Sequence, residues 1–390
     1  MSPNPVRAAS PTESARRRAV PVRDFSLVIA LAVVWAFFAA MAPEFLGARN
    51  LSMLVIELSV TATLALGMLL VLLPGQIDLS AGSGVGLIGG IASVLVFHHQ
   101  WPALAALAAG SVVGVLLWGA MGRLIIRERI PAFIITLGGL LVFKGLFWLV
   151  IRNATVPVSP GGSTNLYSAL TTYYLPQLPA LCLAGLAVLG LVLAKVRDRR
   201  ERRRLGLTVE EGELSFLKLF TAAQGILLFV LLTCQFRGVP LPALLLAAVA
   251  LGVHAITRHT VFGRHLYAVG GNEEAAFVAG VPVARVVTLA FACMGGIVAL
   301  TGFLQTAYSG ASTTTVGDLM ELDAIAACVV GGTSLRGGRG SVLGVLFGAL
   351  LMASLMNGMT LLAVSPELKF MVRGLVLALA VWMDVRLNRA

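Results

Sequence analysis

Apolar runs long enough to cross a bilayer recur along almost the whole chain, separated by short polar stretches. A membrane core is spanned by about 20 apolar residues of helix. On that measure the spans fall at 25–42, 51–73, 81–97, 102–122, 132–151, 180–196, 216–235, 240–257, 285–305, 322–335, 341–361 and 369–385. The pattern predicts an all-α, polytopic transmembrane bundle of about 10–12 spans. The runs at 81–97 and 322–335 are short and Gly-rich. Each is a candidate for a broken or re-entrant segment, because irregular backbone is tolerated at membrane depth only inside protein or along a cavity.

The polar stretches orient these spans. With both termini cytoplasmic, the inside segments carry Arg7 to Arg23, Arg123 to Arg129, Lys195 to Arg204, Arg258 to Arg285, Arg336 with Arg339, and Arg386 with Arg389. The outside loops hold Arg49, Arg152 and Arg237, so the bias follows the positive-inside rule. The first apolar run follows a basic segment, residues 1–24, and lacks the short core and small-residue cleavage site of a signal peptide. It is expected to remain as the first helix of a membrane domain covering 25–390. Two connections are long. The external one, 152–179, is rich in Pro, Ser, Thr and Tyr; the internal one, 195–215, contains the charge run Arg197 to Arg204. Such a run is a solvated face or topology anchor, with a contact to a partner or to anionic membrane lipid as the alternative.

Composition agrees. Hydrophobic residues make up 58% of the 390 and charged residues only 12%, against about half and about a quarter in soluble chains. The 42 glycines suit helices that associate by close backbone approach. A net charge of +11 would suggest nucleic acid in a soluble protein, but here the basic residues flank apolar runs and topology accounts for them. Cys182, Cys234, Cys293 and Cys328 all lie in apolar runs without a C-x-x-C pair, which predicts packing residues rather than a redox or metal site.

The most informative polar segment is the internal stretch Gly263 to Val281. Asn272 is a good N-cap, Glu273 and Glu274 complement the dipole of a first turn, and Gly280 is a fair stop. A short cytoplasmic helix is predicted, with Ala275, Ala276 and Phe277 available for contact. An ordinary connecting helix is one reading; a lever for a soluble motor subunit is the other.

Gly270-Gly271-Asn272-Glu273-Glu274-Ala275-Ala276, the following Ala279-Gly280-Val281, and the run Glu321 to Leu335 resemble the permease family of monosaccharide ABC importers, which includes ribose and xylose permeases. Pro74 to Ser83 and Asn357-Gly358-Met359 resemble it as well, and the likeness extends over nearly the whole chain from about residue 25. The added helix pair at 180–235 and the ending Leu379 to Asp384 resemble the longer, xylose-type members. The resemblance implies a bacterial inner-membrane protein working as two permease copies, with a pair of cytoplasmic ATPase subunits and an external sugar-binding protein. It also implies that 258–284 is the coupling loop, with Gly271, Asn272, Glu273, Glu274, Ala275, Ala276 and Gly280 docking on the ATPase.

No G-x-x-x-x-G-K-[ST] phosphate loop is present in the sequence, so a motor, if used, is expected on a partner chain. No catalytic constellation, H-E-x-x-H spacing or cofactor motif emerges. Ionisable groups near the membrane are few and therefore informative. Glu57 lies inside a span. Asp78 stands at a loop–helix junction, where N-capping by Asp78 or Ser80 is the alternative to a functional role. Glu321 and Asp323 open a span, either as dipole-stabilised carboxylates or as the lining of an outer mouth. Lys144 and Arg373 have two readings, pairing with acids or snorkelling to an interface. Gln76 and Asn357, with Gln305, Thr306, Tyr308 and Ser309, are candidates for a sugar pathway or for polar bridges between helices. Gln76, Asp78, Glu57, Glu321, Asp323 and Asn357 are carried forward as the expected pathway residues. Pro74 to Ser83 also echoes Gly331 to Gly338 faintly, through a structural repeat or through chance matching of glycines. The rival functions are an ion-driven secondary transporter, an intramembrane transferase, and an ABC permease for ribose or branched-chain amino acids.

Overall fold

The computed structural model describes residues 22–207 and 212–387. Most of the basic N-terminal stretch, with Arg7, Arg16, Arg17 and Arg18, lies outside the described residues. The helices are α1 (Val22–Met41), α2 (Ala48–Leu72), α3 (Ala81–Phe97), α4 (Ala103–Glu128), α5 (Ala132–Ile151), α6 (Leu166–Thr172), α7 (Gln177–Arg204), α8 (Gly212–Cys234), α9 (Leu241–His259), α10 (Val261–Gly271), α11 (Glu273–Val278), α12 (Val283–Ser309), α13 (Met320–Val330), α14 (Val342–Leu361) and α15 (Pro366–Leu387). Among the described residues, eight helices are long and apolar enough to cross a membrane. Two antiparallel pairs of two-residue strands, β1 (Val156–Pro157) with β4 (Ala311–Ser312) and β2 (Tyr174–Leu175) with β3 (Val239–Pro240), only pin loops together.

Helix α2 is the axis of the bundle, enclosed along most of its length, while α7 and α8 stand largely exposed at the periphery. Apolar attraction between helices fades in lipid, so close packing has to hold them. It does so where α4 and α12 cross antiparallel. A Cβ added to Gly295 would lie 2.3 Å from the Gly114 carbonyl oxygen, and one added to Gly114 would lie 2.6 Å from that of Gly295. Only two glycines allow this approach.

The two short Gly-rich runs resolve as helices that begin at buried positions inside the bundle, half-helices in that sense. At 1.5 Å per residue, α3 is about 26 Å long and α13 about 17 Å, against a hydrocarbon core of about 30 Å. They begin against each other inside the bundle: Gly82, in the first turn of α3, leaves room for the Glu321 carboxylate in the first turn of α13. From there α3 runs toward the end bearing His98 and Trp101, and α13 runs toward the loop with Arg336 and Arg339. The irregular segments 74–80 and 310–319 lead into them. Backbone groups in both pair within the protein, as membrane depth demands: Gln76 N–H donates to the Val71 carbonyl at 3.1 Å, the Ile77 carbonyl accepts from Thr136 Oγ1 at 3.1 Å, and Val316 N–H donates to the Thr313 carbonyl at 3.0 Å. The faint echo between 74–83 and 331–338 is therefore not an equivalence in the fold. The first stretch precedes a half-helix and the second follows one.

Three further features depart from the hydropathy pattern. The charge run at 197–204 is the helical continuation of α7 rather than loop, helped by an Asp198–Arg202 pair at 3.1 Å one turn apart. The connection 152–179 folds back onto the bundle through α6. Asn165 caps that helix by accepting from the Ser168 N–H, and the buried Tyr167 donates to the Gly89 carbonyl at 3.0 Å. Between α9 and α11 stands α10, where a loop was expected. Its start is a Thr260 side chain that accepts from the Gly263 N–H at 3.0 Å, a signal that the neighbouring charges obscured.

Asp78 anchors the start of α3. Its Oδ1 accepts from the Ser80 N–H at 2.8 Å and from Ser80 Oγ at 2.6 Å, and its Oδ2 accepts from Trp118 Nε1 at 2.6 Å. Asp78 and Trp118 are both fully buried. Trp118→Phe would leave a buried Asp78 oxygen without its donor, a loss of about 1–3 kcal/mol. The expected outcome is a lower thermal unfolding midpoint in detergent, with Trp148→Phe, at an exposed ring, as the comparison.

Candidate functional site

Two constellations stand at opposite ends of the bundle. At the end bearing Arg264, Arg285, Arg336 and Arg339, three backbone segments meet. The Gly338 N–H donates to the Leu73 carbonyl at 2.9 Å, joining the loop after α13 to the end of α2. The end of α10 is pressed between them: a Cβ on Gly270 would lie 1.8 Å from the Leu73 oxygen and 2.4 Å from the Gly338 nitrogen. Gly337 takes a φ of +88°, and a Cβ there would lie 2.8 Å from both Gly270 Cα and Gly75 N. Positive φ and missing side chains make glycine the residue this junction requires. Tyr267, on α10, adds a hydrogen bond to the Gly340 carbonyl at 2.9 Å. Burial raises the pKa of its phenol, which keeps it a neutral donor.

Helix α11 projects from this junction. Asn272 caps it by accepting from the Ala275 N–H at 2.9 Å, and Glu273 and Glu274 occupy the first turn. Ala276 turns inward and is buried, Ala275 is exposed, and Phe277 and Val278 are 71% and 86% exposed. Gly271 closes α10, and Gly280 follows α11 with a φ of +83°. A basin of about 1490 Å³ beside α11 is lined by Gln76, Arg129, Glu274, Phe277 and Arg285, among others.

At the other end, α2, α12, α14, α15 and the segment 315–323 enclose a smaller pocket of about 280 Å³. Glu57 lies in its wall. Its Oε1 accepts from Tyr308 Oη at 3.0 Å and its Oε2 from Asn357 Nδ2 at 3.3 Å, while Asn357 Oδ1 accepts from Asn50 Nδ2 at 2.9 Å. Asp323 Oδ1 faces Arg373 Nε at 3.4 Å, too poorly aligned to receive a hydrogen bond from it. Lys144 bridges the Asp318 carboxylate and the Thr314 carbonyl.

The expected pathway residues are thus distributed. Glu57, Asp323 and Asn357 come together at the 280 Å³ pocket, where Asn357 acts through Glu57. Asp78 and Glu321 lie buried where α3 and α13 begin. Gln76 faces the basin beside α11. Arg373 and Lys144 pair with acids, the first of their two readings. Met352, Thr315 and Thr360, which also line the pocket, carry no local signal in the sequence.

Half-helices that meet at buried carboxylates, inside a bundle with a polar pocket at one end, define a helical membrane transport protein. The chain belongs to the family described as branched-chain amino acid transport system / permease component, which matches residues 50–381. It is 40% identical over 372 residues to the xylose transport system permease protein XylH of Haemophilus influenzae, a match spanning 94% of this chain and 97% of that one. It is 37% identical to XylH of Escherichia coli over 100% of this chain and 98% of that one. The ribose import permease protein RbsC of Escherichia coli is 31% identical over 92% of each chain. No solved structure matches the chain. With its apolar helices, this kinship makes the chain a multi-pass protein of the bacterial inner membrane.

Proposed function

We propose that this chain is the permease subunit of an ATP-driven importer of a monosaccharide, with xylose the first substrate to test and ribose the second. Two copies form the pathway, ATP is hydrolysed on separate cytoplasmic subunits, and an external binding protein delivers the sugar. The basic end faces the cytoplasm, in keeping with the positive-inside rule. The observation that carries the reading is α11: a short helix offering Phe277 and Val278 to solvent, tied through Gly270 to the loops that border both half-helices. A motor that moves α11 thereby pulls on the segments 74–80 and 331–341 together. Glu57 and Asp323 line the outer part of the pathway, and Asn357 holds Glu57 in place there. Asp78 and Glu321 hold the half-helix junction, and Gln76 stands near the motor.

The test is reconstitution with the candidate ATPase and binding protein in proteoliposomes, following labelled xylose and ribose. Uptake is expected only with ATP and all three components. Uptake by the chain alone under an ion gradient would overturn the proposal, and preference for ribose or for a branched-chain amino acid would reassign the substrate.

A further inference from the structure

The pocket walled by Glu57 holds about 280 Å³, near the lower end of ligand-pocket sizes, which gives room for one small molecule. Its polar groups are held in place before any ligand arrives. Glu57 is fixed by donors from two other helices, Tyr308 at 3.0 Å and Asn357 at 3.3 Å, and Asn357 is itself oriented by Asn50. Each Glu57 oxygen accepts one hydrogen bond and retains capacity for another. Asp323 lines the same pocket at 9% exposure, with its Oδ1 turned inward to within 3.4 Å of Arg373 Nε.

The charges of the pocket narrow the chemistry. Arg373 stands against Asp323, and Lys144 is committed to Asp318. An anion would meet Glu57 and Asp323, and a metal cation would meet Arg373. Hydroxyl groups fit both signs, since they donate to carboxylates and accept from a guanidinium. Met352 and Met356 supply a soft apolar wall, suited to the C–H face of a ring.

We infer that this pocket is a binding site for one neutral polyhydroxylated molecule of about pentose size, with Glu57 and Asp323 accepting its hydroxyls and Arg373 donating to them. The inference rests on the reading of the chain as a sugar permease. It adds a saturable station within the permease itself, separate from the selectivity of a binding protein.

The full-length chain in lipid nanodiscs, titrated with radiolabelled xylose, tests it. Saturable binding is expected, displaced by unlabelled xylose or ribose but not by xylonate or sodium chloride. Asp323→Asn and Tyr308→Phe should each weaken binding about tenfold or more, whereas Gln224→Ala on the peripheral α8 should leave it unchanged. If Asp323→Asn fails to insert, Tyr308→Phe decides. Absence of saturable binding, wild-type affinity in the pocket variants, or displacement by sodium overturns the inference. ATP-driven xylose uptake by the complete wild-type importer, measured in parallel, separates the two claims. Uptake without binding by the isolated chain sinks the station and spares the permease reading; no uptake at all sinks that reading.

Discussion

Gly270→Ala is expected to leave the chain folded and inserted while cutting ATP-driven uptake about tenfold or more. The added methyl would lie 1.8 Å from the Leu73 carbonyl oxygen and 2.4 Å from the Gly338 nitrogen. Both obstacles are backbone, so no side-chain rotation relieves them. Overpacking of this kind costs about 1–3 kcal/mol, and each 1.4 kcal/mol is about tenfold in an equilibrium. That cost falls on one conformation of the junction, where α10 meets the end of α2 and the loop after α13, and not on the helix contacts that hold the bundle. Gly252→Ala on α9 is the control, because a Cβ at Gly252 meets nothing within 4 Å and the residue lies outside the coupling loop. Parallel uptake and ATPase assays in proteoliposomes, on protein matched for monodispersity, check the pair. Equal loss in both variants, or normal uptake in Gly270→Ala, would remove the junction from the coupling route.

Phe277→Asp should separate the permease from its motor. The ring is 71% exposed, and Val278 beside it is 86% exposed, so neither supports the fold. An aromatic anchor at the centre of a protein interface commonly contributes 2 kcal/mol or more, about 30-fold in affinity, and a carboxylate in its place adds a desolvation cost. ATPase co-purification and uptake are expected to fall together, with membrane abundance unchanged. Glu273→Lys in the first turn of α11 should act in the same direction, since it reverses the charge presented there and opposes the helix dipole. Retention of the ATPase by Phe277→Asp would move the docking surface elsewhere.

Both variants act on parts of the chain that differ in how openly the sequence displays them. Helix α11 is written locally: Asn272 caps it, Glu273 and Glu274 follow, and its register decides that Ala276 turns inward while Phe277 projects. Only that last point needed coordinates, since a six-residue helix has no long period from which to read a face. The junction at Gly270 is not legible in the same way. Its partners, Gly75 and Gly337, are ordinary loop glycines until packing brings their backbones together. The pocket is an intermediate case. Glu57, Asp323 and Arg373 were conspicuous as rare ionisable groups in apolar surroundings. Their partners were not, because Tyr308 lies 251 residues from Glu57 and Asn357 lies 300.

The sequence alone determined the helical class, the places of the main apolar helices along the chain, and the presence of a capped helix between two strong spans. All of these are sums or spacings over neighbouring residues, which hydropathy and capping read directly. Tertiary structure decided that α3 and α13 are half-helices meeting nose to nose, that the charge run after Val196 continues a helix, and which carboxylates share a pocket. Those outcomes depend on how closely glycine-bearing helices approach across the bundle, and a packing distance is a property of pairs remote in the chain.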